Sequence, residues 1–144
     1  MMEYFDLSQI LEEVEKLNSK DGENRRRHIL VVDDDVRVLR LLKVHLQDYD
    51  VATAINGKLA LKFLENKTTD LILLDYEMPE MNGKEVLQKL QAEKEYADIP
   101  VVFLTSMDNR EMVMELLALK PAGYILKPTD SQMLLERVEN IIGK

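Results

Sequence analysis

Four short apolar runs in this sequence each end in residues that can do chemistry. Ile29-Leu30-Val31-Val32 runs into Asp33-Asp34-Asp35, and Leu71-Ile72-Leu73-Leu74 runs into Asp75. Val101-Val102-Phe103-Leu104 leads to Thr105-Ser106, and Gly123-Tyr124-Ile125-Leu126 leads to Lys127-Pro128. Carboxylates gathered from separate segments repel one another. At 4 Å and an effective dielectric near 20, each like-charge pair costs about 4 kcal/mol. A divalent cation removes that conflict. Hard oxygen ligands with positions left for water and phosphate suit Mg2+ better than zinc or calcium, and the chain lacks both cysteine and an EF-hand loop pattern. The Lys127 ammonium and the Thr105 hydroxyl are then free to meet the charged oxygens of a phosphoryl group that is transferred to a carboxylate.

Such residues meet only if the runs lie side by side, and the pattern around them supplies the reason. From residue 28 onward, short β-branched apolar runs alternate with longer helical spacings. The sequence predicts strands at 28 to 32, 50 to 54, 70 to 74, 101 to 104 and 122 to 126. Helices are predicted near 36 to 47, 57 to 66, 83 to 95, 109 to 119 and 131 to 142, with Asp108 and Glu111 as a capping box. Strands that are apolar on both faces and separated by helices belong in a parallel sheet covered on both sides, a doubly wound α/β fold. In such sheets ligands bind beyond the carboxyl ends of the strands, where all these polar residues fall.

Composition narrows the class further. The chain has 144 residues, 46% apolar and 32% charged, enough for one domain with a substantial core and unlike a low-complexity or disordered chain. Without cysteine there is no disulfide, thiolate metal site or cysteine nucleophile. No apolar run approaches the roughly 20 residues of a membrane span or the 7 of a signal core, so a soluble cytoplasmic protein with no membrane association is expected. Nineteen basic against 27 acidic residues give a net charge of −8, which disfavours direct nucleic acid binding and favours cations or basic protein surfaces. The run Arg25-Arg26-Arg27 is the local exception.

In these motifs residues 28 to 144 resemble the receiver domain of bacterial two-component response regulators, of which the chemotaxis receiver is the simplest form. The stretches that carry the likeness are Ile29 to Asp35, Leu71-Ile72-Leu73-Leu74-Asp75-Tyr76-Glu77-Met78-Pro79-Glu80-Met81-Asn82-Gly83, Val101 to Ser106, and Gly123 to Pro128. The resemblance implies a flavodoxin-like five-stranded parallel sheet in the order 2-1-3-4-5, flanked by five helices. It implies a non-enzymatic module in which Asp75 accepts a phosphoryl group from a histidine kinase or phosphotransfer protein. By the same likeness Asp33, Asp34, Asp75 and the backbone carbonyl of Glu77 hold Mg2+, and Lys127 contacts the phosphate. Thr105 and Tyr124 form a conformational switch read by a downstream effector protein or domain, and the Lys127-Pro128 bond is cis. Glu77 departs from the commonest pattern by setting an anion beside the acceptor.

Plainer roles stand beside these. Asp35 can simply cap the first helix, Thr105 can be a cap or a phosphate ligand, and Tyr124 can be a packed strand residue. His28 and His45 lack a spaced partner and read as structural or surface residues. Met107 to Met114 reads as adaptable helix packing. The rival function is a phosphatase of the haloacid dehalogenase type, since Asp33-Asp34-Asp35 contains its D-x-D motif with Asp33 as nucleophile. That reading leaves Asp75 and its loop unexplained and supplies neither a later acidic pair nor a cap.

Residues 1 to 27 have no counterpart in the minimal receiver. Leu7, Ile10, Leu11, Val14 and Leu17 fall at helical spacing, with Asp6 and Gln9 as a capping box, and 18 to 27 read as a linker around Gly22. An amphipathic helix this short needs a partner for its apolar stripe. The expectation is pairing with its own copy, giving a homodimer, or with an adjoining helix of a longer parent; docking on the main domain is the alternative. No effector domain is expected between the fifth helix and residue 144.

Overall fold

The computed structural model describes residues 26–144; the expectations for residues 1 to 25, including the N-terminal helix and its Asp6 cap, lie outside the described residues. Five strands and five helices alternate along the chain: β1 His28–Val32, α1 Val36–His45, β2 Asp50–Ala54, α2 Gly57–Asn66, β3 Leu71–Leu74, α3 Gly83–Gln91, β4 Val101–Thr105, α4 Arg110–Ala118, β5 Gly123–Leu126 and α5 Ser131–Ile142. All strands pair in parallel, in the order β2-β1-β3-β4-β5.

Side chains alternate across a strand, so a strand that is apolar at every position feeds two cores. Leu30, Val32, Ile72, Leu74, Val101 and Phe103 face one side, where Ala60 and Leu64 of α2, Val86, Leu87 and Leu90 of α3, and Leu116 of α4 cover them. Ile29, Val31, Leu71, Leu73, Val102, Leu104 and Ile125 face the other, under Leu39 and Leu42 of α1 and Leu134 and Val138 of α5. Both layers are closed, and the three central strands are buried at every position apart from His28.

The predicted elements form with small corrections at their ends. α1 stops at His45 because Leu46 turns out of the helix while its amide still reaches the Leu42 carbonyl. α3 stops at Gln91, short of residue 95, and its N-terminus carries a capping box of Asn82 and Glu85. The Asp108–Glu111 box does not cap α4; Asn109 does, its side chain accepting from the Met112 amide at 3.1 Å. The chain enters the helix one residue later than spacing suggests. The methionine stretch is only partly packing, since Met107 and Met112 lean on the core while Met114 is 59% exposed.

Candidate functional site

The strand order reverses between β1 and β3, because the chain moves from β1 outward to β2 and then returns to β3 on the other side. Two loops diverge there and leave a crevice at the carboxyl ends of the strands. Parallel pairing of Val32 with Leu74 puts Asp33 and Asp75 next to each other at its mouth, and the Asp75 amide donates to the Val32 carbonyl at 2.9 Å. One carboxylate oxygen from each of Asp33, Asp34 and Asp75 lies within 4.8 Å of the others. Asp33 and Asp75 are buried, at 2% and 7% exposure, whereas Asp34 faces solvent.

The third aspartate of the run does something else. Asp35 caps α1, accepting from the Arg37 amide at 2.9 Å and pairing with the Arg37 guanidinium at 3.0 Å, which holds its carboxyl below the ordinary value. Asp33 is oriented from two sides. Its Oδ1 accepts from the Asp35 amide at 2.9 Å, and its Oδ2 accepts from Lys127 Nζ at 2.7 Å. Burial raises the Asp33 carboxyl pKa, opposed by Lys127 and the Asp35 amide and reinforced by the charge of Asp75. Burial also works against the Lys127 ammonium, but Asp33 and Asp75 together outweigh it and raise its pKa. The contact is a charge-assisted pair across the rim.

Lys127 reaches this point from the far side of β4. Its amide donates to the Thr105 carbonyl at 2.8 Å, the Lys127-Pro128 bond is cis, and Nζ comes within 3.6 Å of Asp75 Oδ2. Asp75 Oδ1 accepts from the Tyr76 amide at 2.8 Å. Thr105 is fully buried, with Oγ1 accepting from the Met107 amide at 3.2 Å. Tyr124 is half-buried, its ring tilted against Phe103 at 6.0 Å, and its hydroxyl donates to the Met107 carbonyl. Burial first, then Asp108 and Asp75, raises its phenol pKa. Glu77 is exposed on the loop leaving Asp75. His28 donates its backbone amide to Asp70, and neither histidine belongs to the carboxylate cluster.

Two residues that shape this geometry, Gly83 and Met107, are not among the site residues expected from sequence. Gly83 begins α3 directly against the acceptor strand: an added Cβ would sit 2.5 Å from the Asp75 carbonyl oxygen and 2.9 Å from Tyr76 Cα. Its amide donates to the Tyr76 carbonyl at 2.8 Å, which closes the loop after Asp75. The Asn82-Gly83 pair was the available signal. At the site Met107 acts through its backbone, tied to both Thr105 and Tyr124, and no side-chain pattern announces that.

The donor set fits a hard divalent cation: three carboxylates converge, two held in place by amide hydrogen bonds, with an ammonium on the opposite wall. Such a rim at the switch point of a doubly wound sheet defines a class of proteins that handle a cation and a charged ligand at one crevice. Residues 29–139 match the response regulator receiver domain, and the chain belongs to that family, which serves two-component signalling. It is 35% identical over 119 residues to a chemotaxis protein CheY homolog of Campylobacter jejuni, covering 80% of this chain and 92% of the relative. Among solved structures it resembles chemotaxis protein CheY4 of Vibrio cholerae, with a TM-score of 0.75 and 29% identity over 81% of this chain and 98% of the other. It also resembles the signal receiver domain of a histidine kinase from Syntrophus aciditrophicus, with a TM-score of 0.76 and 30% identity over 81% and 89%. Among the described residues no helix is long and apolar enough to cross a membrane.

Proposed function

We propose that residues 28 to 144 are a cytoplasmic phosphoacceptor module whose Asp75 receives a phosphoryl group from a histidine kinase or phosphotransfer protein, with residues 1 to 27 as an appendage. The observation that carries this is the convergence of Asp33, Asp34 and Asp75 with Lys127 at the sheet's switch point. In the transfer, the free carboxylate oxygen of Asp75 attacks phosphorus. The bond to the donor imidazole nitrogen breaks, its electron pair stays on that nitrogen, and an acyl phosphate forms. Hydrolysis later returns the carboxylate and inorganic phosphate.

Asp33, Asp34, Asp75 and the backbone carbonyl of Glu77 would hold Mg2+, which supplies charge neutralisation for the carboxylates and the incoming phosphoryl oxygens. Lys127 already lies between Asp33 and Asp75, so its ammonium can follow negative charge as it arrives on Asp75. Thr105 and Tyr124 both bond to Met107, and a phosphoryl group that draws the Thr105 hydroxyl would loosen that loop. The readout is a shift between two arrangements of the face formed by α4, β5 and α5, which binds an effector protein or domain. The phosphatase alternative with Asp33 as nucleophile has less support, because both Asp33 oxygens are already engaged, by the Asp35 amide and by Lys127.

Incubation of the full chain with acetyl phosphate and Mg2+, followed by trapping and mapping of the adduct, tests the reading. Label on Asp75, abolished in Asp75→Ala, is expected. Full labelling of that variant, or many-turnover hydrolysis with label on Asp33, would overturn it.

A further inference from the structure

α1 presents an unusual solvent face. Val36, Leu41 and Val44 are 50%, 54% and 62% exposed, although the opposite side of the same helix is buried through Leu39 and Leu42. Between these apolar residues stand Arg37, Arg40 and Lys43, all exposed, and the helix contains no acidic residue. Arg37 is engaged with Asp35, while Arg40 and Lys43 form no ion pair with another described residue. In a chain of net charge −8 this is a basic, partly apolar ridge without a partner among the described residues.

The chain enters the domain at the foot of that ridge. The Arg26 guanidinium donates to the Tyr49 carbonyl at 2.9 Å and to the Gln47 carbonyl, both in the turn that follows α1. Residues 18 to 25 can span about 26 Å when extended, against about 15 Å for the ten residues of α1. Residues 6 to 17 therefore have the reach to lie alongside it. Their sequence is complementary: Leu7, Ile10, Val14 and Leu17 form an apolar stripe with Asp6, Glu13 and Glu15 at its edges and Glu12 on the far side, against the single Lys16. Two other exposed apolar groups exist among the described residues: Ile55 and Leu59, only two side chains against a stripe of four, and Met114, Leu117, Leu126 and Met133, where Asp108, Glu111 and Glu136 stand nearby in sequence and would repel that segment.

We propose that residues 6 to 17 dock in cis on the exposed face of α1, apolar stripe against Val36, Leu41 and Val44, with their carboxylates on Arg40 and Lys43. The absence of cysteine makes a direct test available. A nitroxide placed on Ser8→Cys in the full, 15N-labelled chain is expected to erase most of the amide intensity of residues 36 to 48 and to spare residues 110 to 118 and 131 to 142. Reversing the surface charges in Arg40→Glu/Lys43→Glu should restore that intensity, and adding Glu12→Lys/Glu13→Lys/Glu15→Lys should erase it again. Broadening centred on α4 and α5, or broadening without any pattern, overturns the proposal. So does broadening of spin-free 15N chains mixed with labelled 14N chains, which would assign the segment to a second copy and a homodimer.

Discussion

The Lys127 ammonium sits closer to Asp33, at 2.7 Å, than to Asp75, at 3.6 Å. The resting site therefore stores its cation on the carboxylate beside the acceptor, and the acceptor's second oxygen is left with the looser contact. A second asymmetry separates Asp33 from Asp34, which adjoin in sequence. Asp33 is tied down by an amide and an ammonium, while Asp34 contributes an exposed carboxylate with no hydrogen bond to a described residue.

Neutralising the two should have opposite effects in metal-free buffer. Asp34→Ala relieves repulsion without breaking a contact; after screening, relief on the order of 1 kcal/mol corresponds to a rise in Tm of about 4 °C. Asp33→Ala removes the partner of a half-buried lysine and is expected to lower Tm. Thermal melts with a chelator distinguish the pair, and calorimetry should show weaker Mg2+ binding for both. Unchanged Mg2+ affinity in Asp34→Ala would remove it from the proposed ligand set.

Gly83→Ala should disable the acceptor loop. Its Cβ would meet backbone at Asp75 and Tyr76, which cannot rotate away, so a loss of about 1–3 kcal/mol is expected along with slower labelling by acetyl phosphate. Gly57→Ala is the control, since its Cβ meets the Val86 side chain at 2.5 Å, away from Asp75. It should lower the denaturation midpoint yet label at the normal rate.

Tyr124→Phe deletes the hydroxyl that holds the Met107 carbonyl. A loss of about 1 kcal/mol is expected, concentrated in faster amide hydrogen exchange at residues 106 to 109. Equal exchange in the two proteins would show that the bond does not restrain the loop.

Tyr49 gives a pH signature far from the site. It is 3% exposed, its hydroxyl donates to the Gly143 carbonyl at 2.9 Å, and burial, then Glu139 and Asp48, raises its pKa above 10.0. Between its unfolded and folded pKa values the native state keeps a proton that the unfolded state has lost. Stability is thus complete below about pH 10 and falls as pH rises beyond it. Denaturant midpoints followed upward from neutral pH should decline less steeply in Tyr49→Phe, at the cost of about 1 kcal/mol for the lost bond at neutral pH.

Most of the site was legible because its residues sit at strand ends, and strand ends are marked in a sequence where β-branched apolar runs stop. Asp33, Asp75, Thr105 and Lys127 could be named that way, and Asp35 was already a plausible cap. The pairing of β1 with β3, and the 94-residue separation that Lys127 crosses to reach Asp33, depend on strand order, which local spacing does not encode. The same holds for Asn109 replacing Asp108 as the α4 cap, because the direction in which the chain leaves Thr105 decides which residue turns last. Gly83 and the Met107 backbone matter through close approach and carbonyl direction, and those exist only once α3, β4 and β5 are packed. Side-chain chemistry and element type follow from local sequence; which of three adjacent aspartates meets the lysine is set by long-range packing, since each lies within one or two residues of the same turn.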